Sequence, residues 1–276
     1  MMTDRLSHYC GSNVFLSFIQ KKELWLTSLM QSNDSMEGTG MRSHWLNRLP
    51  DTTPQDKLIK KGLATCLNVA WHEKEALGVC FSEERDLLSQ WRGYANDGAG
   101  FSITFDRAIL EKIPRKTDLV TSLSFSKISY GFEDNTEIAP IGKQLADAFM
   151  ADAKKYTEGN GFGSLSIDFG PNGEKHSFFI DPAKSLFTVK NGAFKEEKEW
   201  RLFAFENLNS IKGIQYRVSR EALSPYLPLS IPTKAIVGIT LGPTNTTPEH
   251  VVKAALTQNG LERVWVRTSN ASYRNK

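Results

Sequence analysis

Four places in the chain carry side chains that could do chemistry. "KEEKEWRLF" (195–203) sets Glu197, Glu199 and Arg201 at every second position, so a strand there turns all three to one face, away from Trp200 and Leu202. Three charges on one strand face call for water or a polar ligand. "SHYC" offers His8 and Tyr9, "CFS" ends on Ser82, and "LLSQWRGYA" sets Arg92 between Trp91 and Tyr94. A guanidinium beside aromatics presents a planar fork of donors to phosphate oxygens. Its plainer use is to pair with Asp86 or Glu84 while Trp91 and Tyr94 anchor a short helix.

The elements that must position these groups follow from hydrophobic spacing. Residues 7–28 read as strand, helix, strand, with Ser12 as N-cap and Val14, Phe15, Phe18 and Ile19 at helical spacing. "QSNDSMEGTGMRSHW" reads as loop or short helix. A helix opens near Pro54, with Leu58, Ile59, Leu63, Leu67 and Trp71 as its stripe, and leads into the strand "GVCFS". "EERDLLSQW" (83–91) is a short helix with an acidic start, and "NDGAG" turns the chain into "FSITF", where Phe101, Ile103 and Phe105 share a face. Asp106 caps "RAILEKI", 122–132 reads as a strand, 137–157 as a helix and the glycine-bearing 158–176 as a surface loop. "EWRLFAF" (199–205) and "GIQYRVS" (213–219) read as paired strands. The C-terminal unit is a strand "AIVGITLGP", a helix over Pro248–Gln258 stopped by Gly260, and a strand "RVWVRT". Sites at strand mouths distant in sequence then converge on one cleft.

Composition sets the bounds. The 276 residues, 40% of them hydrophobic, support one large core and a single α+β domain. No apolar run reaches the roughly 18 residues of a membrane helix and the N-terminus lacks a signal-peptide pattern, so the expectation is a cytoplasmic protein without membrane contact. The net charge of +3 permits a nucleic-acid partner without requiring one. Cys10, Cys66 and Cys80 read as reduced, packed thiols; Cys66, His72 and Cys80 lack the fourth ligand of a zinc site, and no metal is expected.

"SHYC…FLSFIQKKELWLTS…SNDSMEG…CFSEERDLLSQWRGYANDGAGFSITF…KEEKEWRLF…AIVGITLGP" resembles a large bacterial family of small proteins of unknown function, with "LLSQWRGYA" and "EWRL" as its most specific strings. More remotely, the opening His-bearing strand, helix and "LWLTS" strand resemble NAD-dependent ADP-ribosyltransferases of the diphtheria-toxin type and the DNA-targeting toxins. That resemblance implies a split β-sheet core with flanking helices and NAD as co-substrate. It implies His8 on the NAD ribose and nicotinamide amide, and an aromatic on nicotinamide, for which Tyr9, Trp25 and Tyr94 all qualify by type. Glu199 is then the late-strand glutamate that steadies the sugar cation, Glu197 orients or deprotonates the acceptor, and Arg92 with Ser82 takes the pyrophosphate. The acceptor it implies is nucleic acid, RNA favoured over single-stranded DNA, in a toxin-antitoxin or phage-defence system with an antitoxin or chaperone as partner.

Two other classes compete. A metal-dependent nuclease or hydrolase would use Asp34, Glu37, His44 and Glu199. A binding module without chemistry would dock a protein on the aromatic-rich "LLSQWRGYA".

Overall fold

A computed structural model describes residues 5–32, 38–49, 51–53, 57, 60, 64, 68, 71–113, 118–120, 123–131, 186–219 and 221–273. Its elements are β1 (Arg5–Cys10), α1 (Ser12–Lys21), β2 (Glu23–Ser28), α2 (Thr39–Arg48), β3 (Glu75–Ser82), α3 (Leu88–Tyr94), β4 (Phe101–Asp106) and α4 (Arg107–Leu110). They continue with β5 (Ser124–Lys127), β6 (Ser129–Tyr130), β7 (Val189–Lys190), β8 (Glu199–Glu206), β9 (Gln215–Ser219), β10 (Ala222–Ser230), β11 (Ile236–Leu241), α5 (Glu249–Gln258) and β12 (Trp265–Thr268). Together they form one α+β domain built on a mixed sheet of ten strands.

Strands run β12-β11-β4-β1-β3-β2-β10-β9, with β8 laid along β3 and β5 along β8. Every pair in this sheet is antiparallel except β11 with β12, which are parallel and joined through α5. The arrangement at β3 shapes everything that follows. One edge of β3 pairs with β8 along its whole length, from Glu75↔Glu206 to Ser82↔Glu199. The other edge is shared: β2 takes Leu77 and Gly78, while β1 touches only at Ser7↔Ser82. The sheet therefore forks beside Val79, Cys80 and Phe81, because β1 leaves to pair fully with β4.

Alternation along the strands explains the cores. Val79, Phe81 and Leu202 turn to one side and join Leu6, Ile103 and Phe105 from neighbouring strands with Phe18 and Ile19 of α1. The opposite side of β3 and β8 holds a smaller cluster that includes Leu29, Met41, Phe187 and Phe203. Beyond β1, Tyr9, Trp91 and Ala95 make a third. The bend between α3 and β4 uses three successive positive φ values, at Asn96, Asp97 and Gly98 (49°, 52° and 86°), as the "NDGAG" composition leads one to expect.

Several expectations hold: the strand-helix-strand opening, β3, the buried Phe101/Ile103/Phe105 face, the Asp106 cap on Ile109 N–H, and the C-terminal strand-helix-strand with Gly260 at φ 70°. Others are corrected. Gly11, not Ser12, occupies the N-cap of α1. The helix expected over 83–91 begins only at Leu88, because Leu87 is extended and its N–H goes to the Tyr9 hydroxyl. β8 pairs with β3 and β5, and β9 pairs with β10, so 199–205 and 213–219 are not partners. The strand expected over 122–132 is broken at Ile128 into β5 and β6. Described positions between 57 and 73 are helical. The helix expected over 137–157 and the loop over 158–176 lie outside the described residues, as does Cys66. No described helix is long and apolar enough to cross a membrane.

Candidate functional site

At the fork, His8, Tyr9, Cys80, Phe81, Ser82, Gln90, Tyr94, Glu197 and Glu199 surround a cavity of about 50 Å³. That volume holds a few water-sized groups, by the measure that one water takes roughly 10–15 Å³. β1 supplies the first two residues, β3 the next three, α3 Gln90 and Tyr94, the turn before β8 Glu197, and the first residue of β8 Glu199. Positions 90 and 94 are one helical turn apart, so both face the cavity.

Beneath it lies a buried ion cluster. Arg201, 1% exposed, donates through Nε to Glu199 Oε1 at 2.6 Å and through Nη2 to Oε2 at 3.1 Å. Its Nη1 donates to the Phe187 carbonyl at 3.1 Å. Lys190 bridges the two acids, with Nζ 2.7 Å from Glu197 Oε2 and 3.1 Å from Glu199 Oε2. The same ammonium sits 4.6 Å from the centre of the Phe194 ring. Tyr130 accepts the Glu199 backbone N–H at 2.7 Å. The register Cys80↔Arg201 and Ser82↔Glu199 puts these four side chains on one sheet face.

Burial penalises the charge on Glu199, yet the Arg201 and Lys190 charges outweigh that and set its carboxyl at about 2. Glu197 goes the other way: desolvation raises it, only partly offset by Lys190. Lys190 is held charged, because its three electronegative neighbours overcome its burial. Burial also pushes up the Cys80 thiol, with Glu199 adding to it, and the Tyr94 phenol. Desolvation lowers His8, whose Nδ1 lies 2.9 Å from the Cys80 carbonyl. A carbonyl partner requires the proton on Nδ1, which gives the neutral ring an acceptor at Nε2.

The structure brings His8, Tyr9, Ser82, Tyr94, Glu197 and Glu199 together, as the sequence reading needs. Their duties differ. Tyr9 is buried in structural work: its hydroxyl donates to the Glu84 carbonyl at 2.7 Å and its ring packs edge-on against Trp91 at 4.8 Å. Ser82 donates to the Glu197 carbonyl at 2.5 Å, fixing the entry to β8 rather than offering a donor to phosphate. Tyr94, 40% exposed, is the aromatic that meets both the cavity and solvent.

Two predicted residues are elsewhere. Trp25 stacks at 4.5 Å on Tyr226, across β2 and β10. Arg92 points away from the cavity, 63% exposed, with its Nε 3.8 Å from Asp97; neither Asp86 nor Glu84 is its partner in that pair. Nor do Glu197, Glu199 and Arg201 face water: all three are buried, and Glu197 ends a 3-10 turn (Gly192–Glu197) before the strand starts. Of the hydrolase set, Asp34 and Glu37 lie outside the described residues, and His44 is on α2. Among the described residues no three His, Cys, Asp or Glu side chains gather as a metal would need.

Sequence reasoning missed Lys190, Gln90 and Tyr130. Lys190 had a signal: one charge closing the apolar run "LFTV", with the capping residue Asn191 behind it. Gln90 and Tyr130 had none beyond their neighbours.

Fold and site together define a single α+β domain with a forked sheet, a small cavity in the fork and an ion cluster under its floor. Residues 90–202 match the model of a family described as protein of unknown function (DUF2971). The match begins in α3 at Gln90 and ends in β8 at Leu202, so it contains "QWRGYA" and "EWRL" but covers less than half of the chain. No curated protein and no solved structure matches, and a likeness to ADP-ribosyltransferases is not among the findings.

Proposed function

We propose that this chain is an NAD-dependent ADP-ribosyltransferase that modifies a nucleic acid, RNA in preference to single-stranded DNA. The observation that carries the reading is the convergence of His8, Tyr94 and Glu199, from three separate elements, on one cavity. The remote resemblance supplies the reaction class.

Cleaving the bond between nicotinamide and ribose builds positive charge on the sugar, and an ionised carboxylate against the 2′-hydroxyl steadies it most in the transition state. Glu199 has the right state, being ionised down to a pH of about 2. A carboxylate offers about four acceptor sites, and Arg201 and Lys190 use three on Glu199. The Cys80 thiol leans on the same group. A thiol is the weakest of these donors and the one a sugar hydroxyl replaces most readily. His8, neutral and protonated at Nδ1, presents Nε2 as acceptor to a second hydroxyl or to the nicotinamide amide. Tyr94 flanks the entrance. The cavity takes only the few polar groups of NAD that meet Glu199 and His8, and the rest of the dinucleotide lies outside it. The bond from the ribose carbon to nicotinamide breaks with its electron pair leaving on nicotinamide, the acceptor bonds to the same carbon, and Glu197 beside Glu199 orients the acceptor and takes its proton. In a toxin-antitoxin or phage-defence setting, a protein partner would silence the activity.

The test is incubation of the protein with NAD labelled in its adenylate and with cell extract, followed by separate nuclease and protease treatment. The reading expects label in the nuclease-sensitive fraction and its loss in Glu199→Gln. Label released only by protease moves the acceptor to protein. Absence of label from every fraction removes the transferase reading.

A further inference from the structure

The wall of the cavity formed by α3 is a short helix, and both of its ends are tied to the stretch that follows β12. Ahead of the helix, Asp86 accepts from Ser269 Oγ at 2.5 Å and from the Asn270 N–H at 2.8 Å. The same carboxylate accepts from Trp91 Nε1 at 2.7 Å, from within the helix. Behind the helix, Asp97 accepts from the Tyr273 hydroxyl at 2.7 Å, and the Tyr273 ring lies 6.0 Å from the Arg92 guanidinium. The stretch is itself anchored: Ser269 N–H donates to the Leu241 carbonyl of β11 at 2.8 Å, and Ala271 N–H to Ser269 Oγ at 3.0 Å.

Seven residues form α3, too few to hold a helix by their own hydrogen bonds. Its buried hydrophobic cluster is small, Trp91 and Ala95 against Tyr9. Polar ties hold its two ends: the Asp86 and Asp97 side chains run to residues 269–273, while Thr244 and Asn245 hold the carbonyls of residues 97–100 behind the helix and the Tyr9 hydroxyl takes the Leu87 N–H ahead of it.

We propose that residues 269–273 are a strap that sets the position of α3, making Ser269 and Tyr273 positioning residues for Gln90 and Tyr94 at the cavity. The strap acts through Asp86 and Asp97. Releasing it loosens α3 at the fork, because the helix then keeps only its packing around Trp91 and Ala95, the Leu87 N–H bond to Tyr9 and the bonds of Thr244 and Asn245 to the turn behind it. Its consequence for ligand rests on the reading of the cavity as the NAD site; the mechanical claim does not.

Hydrogen exchange on the full chain separates the two. Ser269→Ala and Tyr273→Phe each remove one tie without adding bulk, and Tyr273→Phe keeps the ring near Arg92. The amides of Trp91, Ala95 and Gly98 bond within α3 or to its last turn. In the double variant their exchange should accelerate about tenfold, the effect of losing one to two net hydrogen bonds. Amides of β3 and β8 should keep their wild-type exchange, and Trp91 emission should shift as the ring loses its packing. Unchanged exchange at 91–98, or acceleration spread equally through β3 and β8, overturns the strap. NAD titration of the same variants reads the second point: faster α3 exchange with weakened NAD binding supports both claims. Faster α3 exchange in a protein whose wild type does not bind NAD keeps the strap and removes the transferase reading.

Discussion

The two faces of the β3–β8 ribbon come from the same sixteen residues and solve burial in opposite ways. On one face Val79, Phe81, Leu202 and Ala204 meet the main core, and nothing there needs a partner. On the other, Ser82, Glu199 and Arg201 are buried beside the half-buried Cys80, and every charge depends on another, with Lys190 and Glu197 closing the set. The apolar face gains from the removal of its surface from water. The charged stretch of the second face, which continues into the smaller apolar cluster at Phe203, has lost its hydration and depends on compensation, an arrangement that structure by itself seldom favours over apolar packing. The polar face ends at the cavity, which the same two glutamates line.

The largest effects should separate the faces by how they are repaired. Phe81→Ala empties a site in the main core and should cost about 3–5 kcal/mol. Arg201→Met should cost a similar amount, about 3–5 kcal/mol, by leaving Glu199 buried without its bidentate partner. Denaturant unfolding distinguishes the causes. Adding Glu199→Met to Arg201→Met removes one charge of each sign and should recover at least half of the loss, since Lys190 still pairs with Glu197. Adding the same exchange to Phe81→Ala should recover nothing. Equal behaviour of the two pairs would mean that the polar face is held by packing and not by charge.

Glu199→Gln is the next smaller change, about 1–3 kcal/mol at neutral pH, because the amide keeps the shape but turns a donor toward Arg201 or Lys190. Its pH dependence is specific. The Glu199 carboxyl titrates at about 2 in the fold against an ordinary value of 4.5, so the unfolded chain takes the proton first as pH falls. The stability it contributes is full above about 4.5 and disappears on the way down to about 2. Glu197, raised in the fold, has the opposite sign: its contribution is present below the ordinary value and lost as pH rises through the raised one. Urea unfolding of wild type and Glu199→Gln should therefore differ by a steady amount from pH 7 down to about 4.5 and converge toward about pH 2. A constant gap across that range would show that the ionised form is not what the cluster holds.

The apolar face was legible in advance and the polar face only in part. Alternation in "GVCFS" and "EWRLFAF" is enough to find two strands and to put Glu199 beside Arg201, since those follow from a period of two. Pairing is a different matter, because a strand's partner depends on the register of segments far away. Nothing in "GIQYRVS" says that it joins "ALSPYLPLS", whose Pro225 and Pro228 disguise a strand. The meeting of His8 with Glu199 needed the fork, where β1 touches β3 at a single residue, and no local pattern encodes that. The acidic residues of "EERD" were read as favouring a helix dipole; in the fold Asp86 is instead a tether shared by Trp91, Ser269 and Asn270. Composition tells that such a group is charged and near a helix, not which distant segment it will hold.

The smallest effect belongs to the residue whose setting between aromatics looked most like a phosphate site. Gln90 and Tyr94 lie one turn apart on the cavity side of α3, and Trp91 turns to Tyr9, which leaves position 92 on the outer side. Arg92 meets Asp97 at 3.8 Å with most of its side chain in solvent, a pairing worth about 0–1 kcal/mol. Arg92→Ala should therefore shift denaturant stability by less than about 1 kcal/mol, and leave NAD binding near that of wild type. Tyr94→Ala should lower binding clearly, since that ring joins the cavity to solvent. If the order is reversed, with Arg92 the more costly loss for NAD, the dinucleotide runs along the outer side of α3. The polar face of β3–β8 would then be a buried structural knot and not the floor of a binding site.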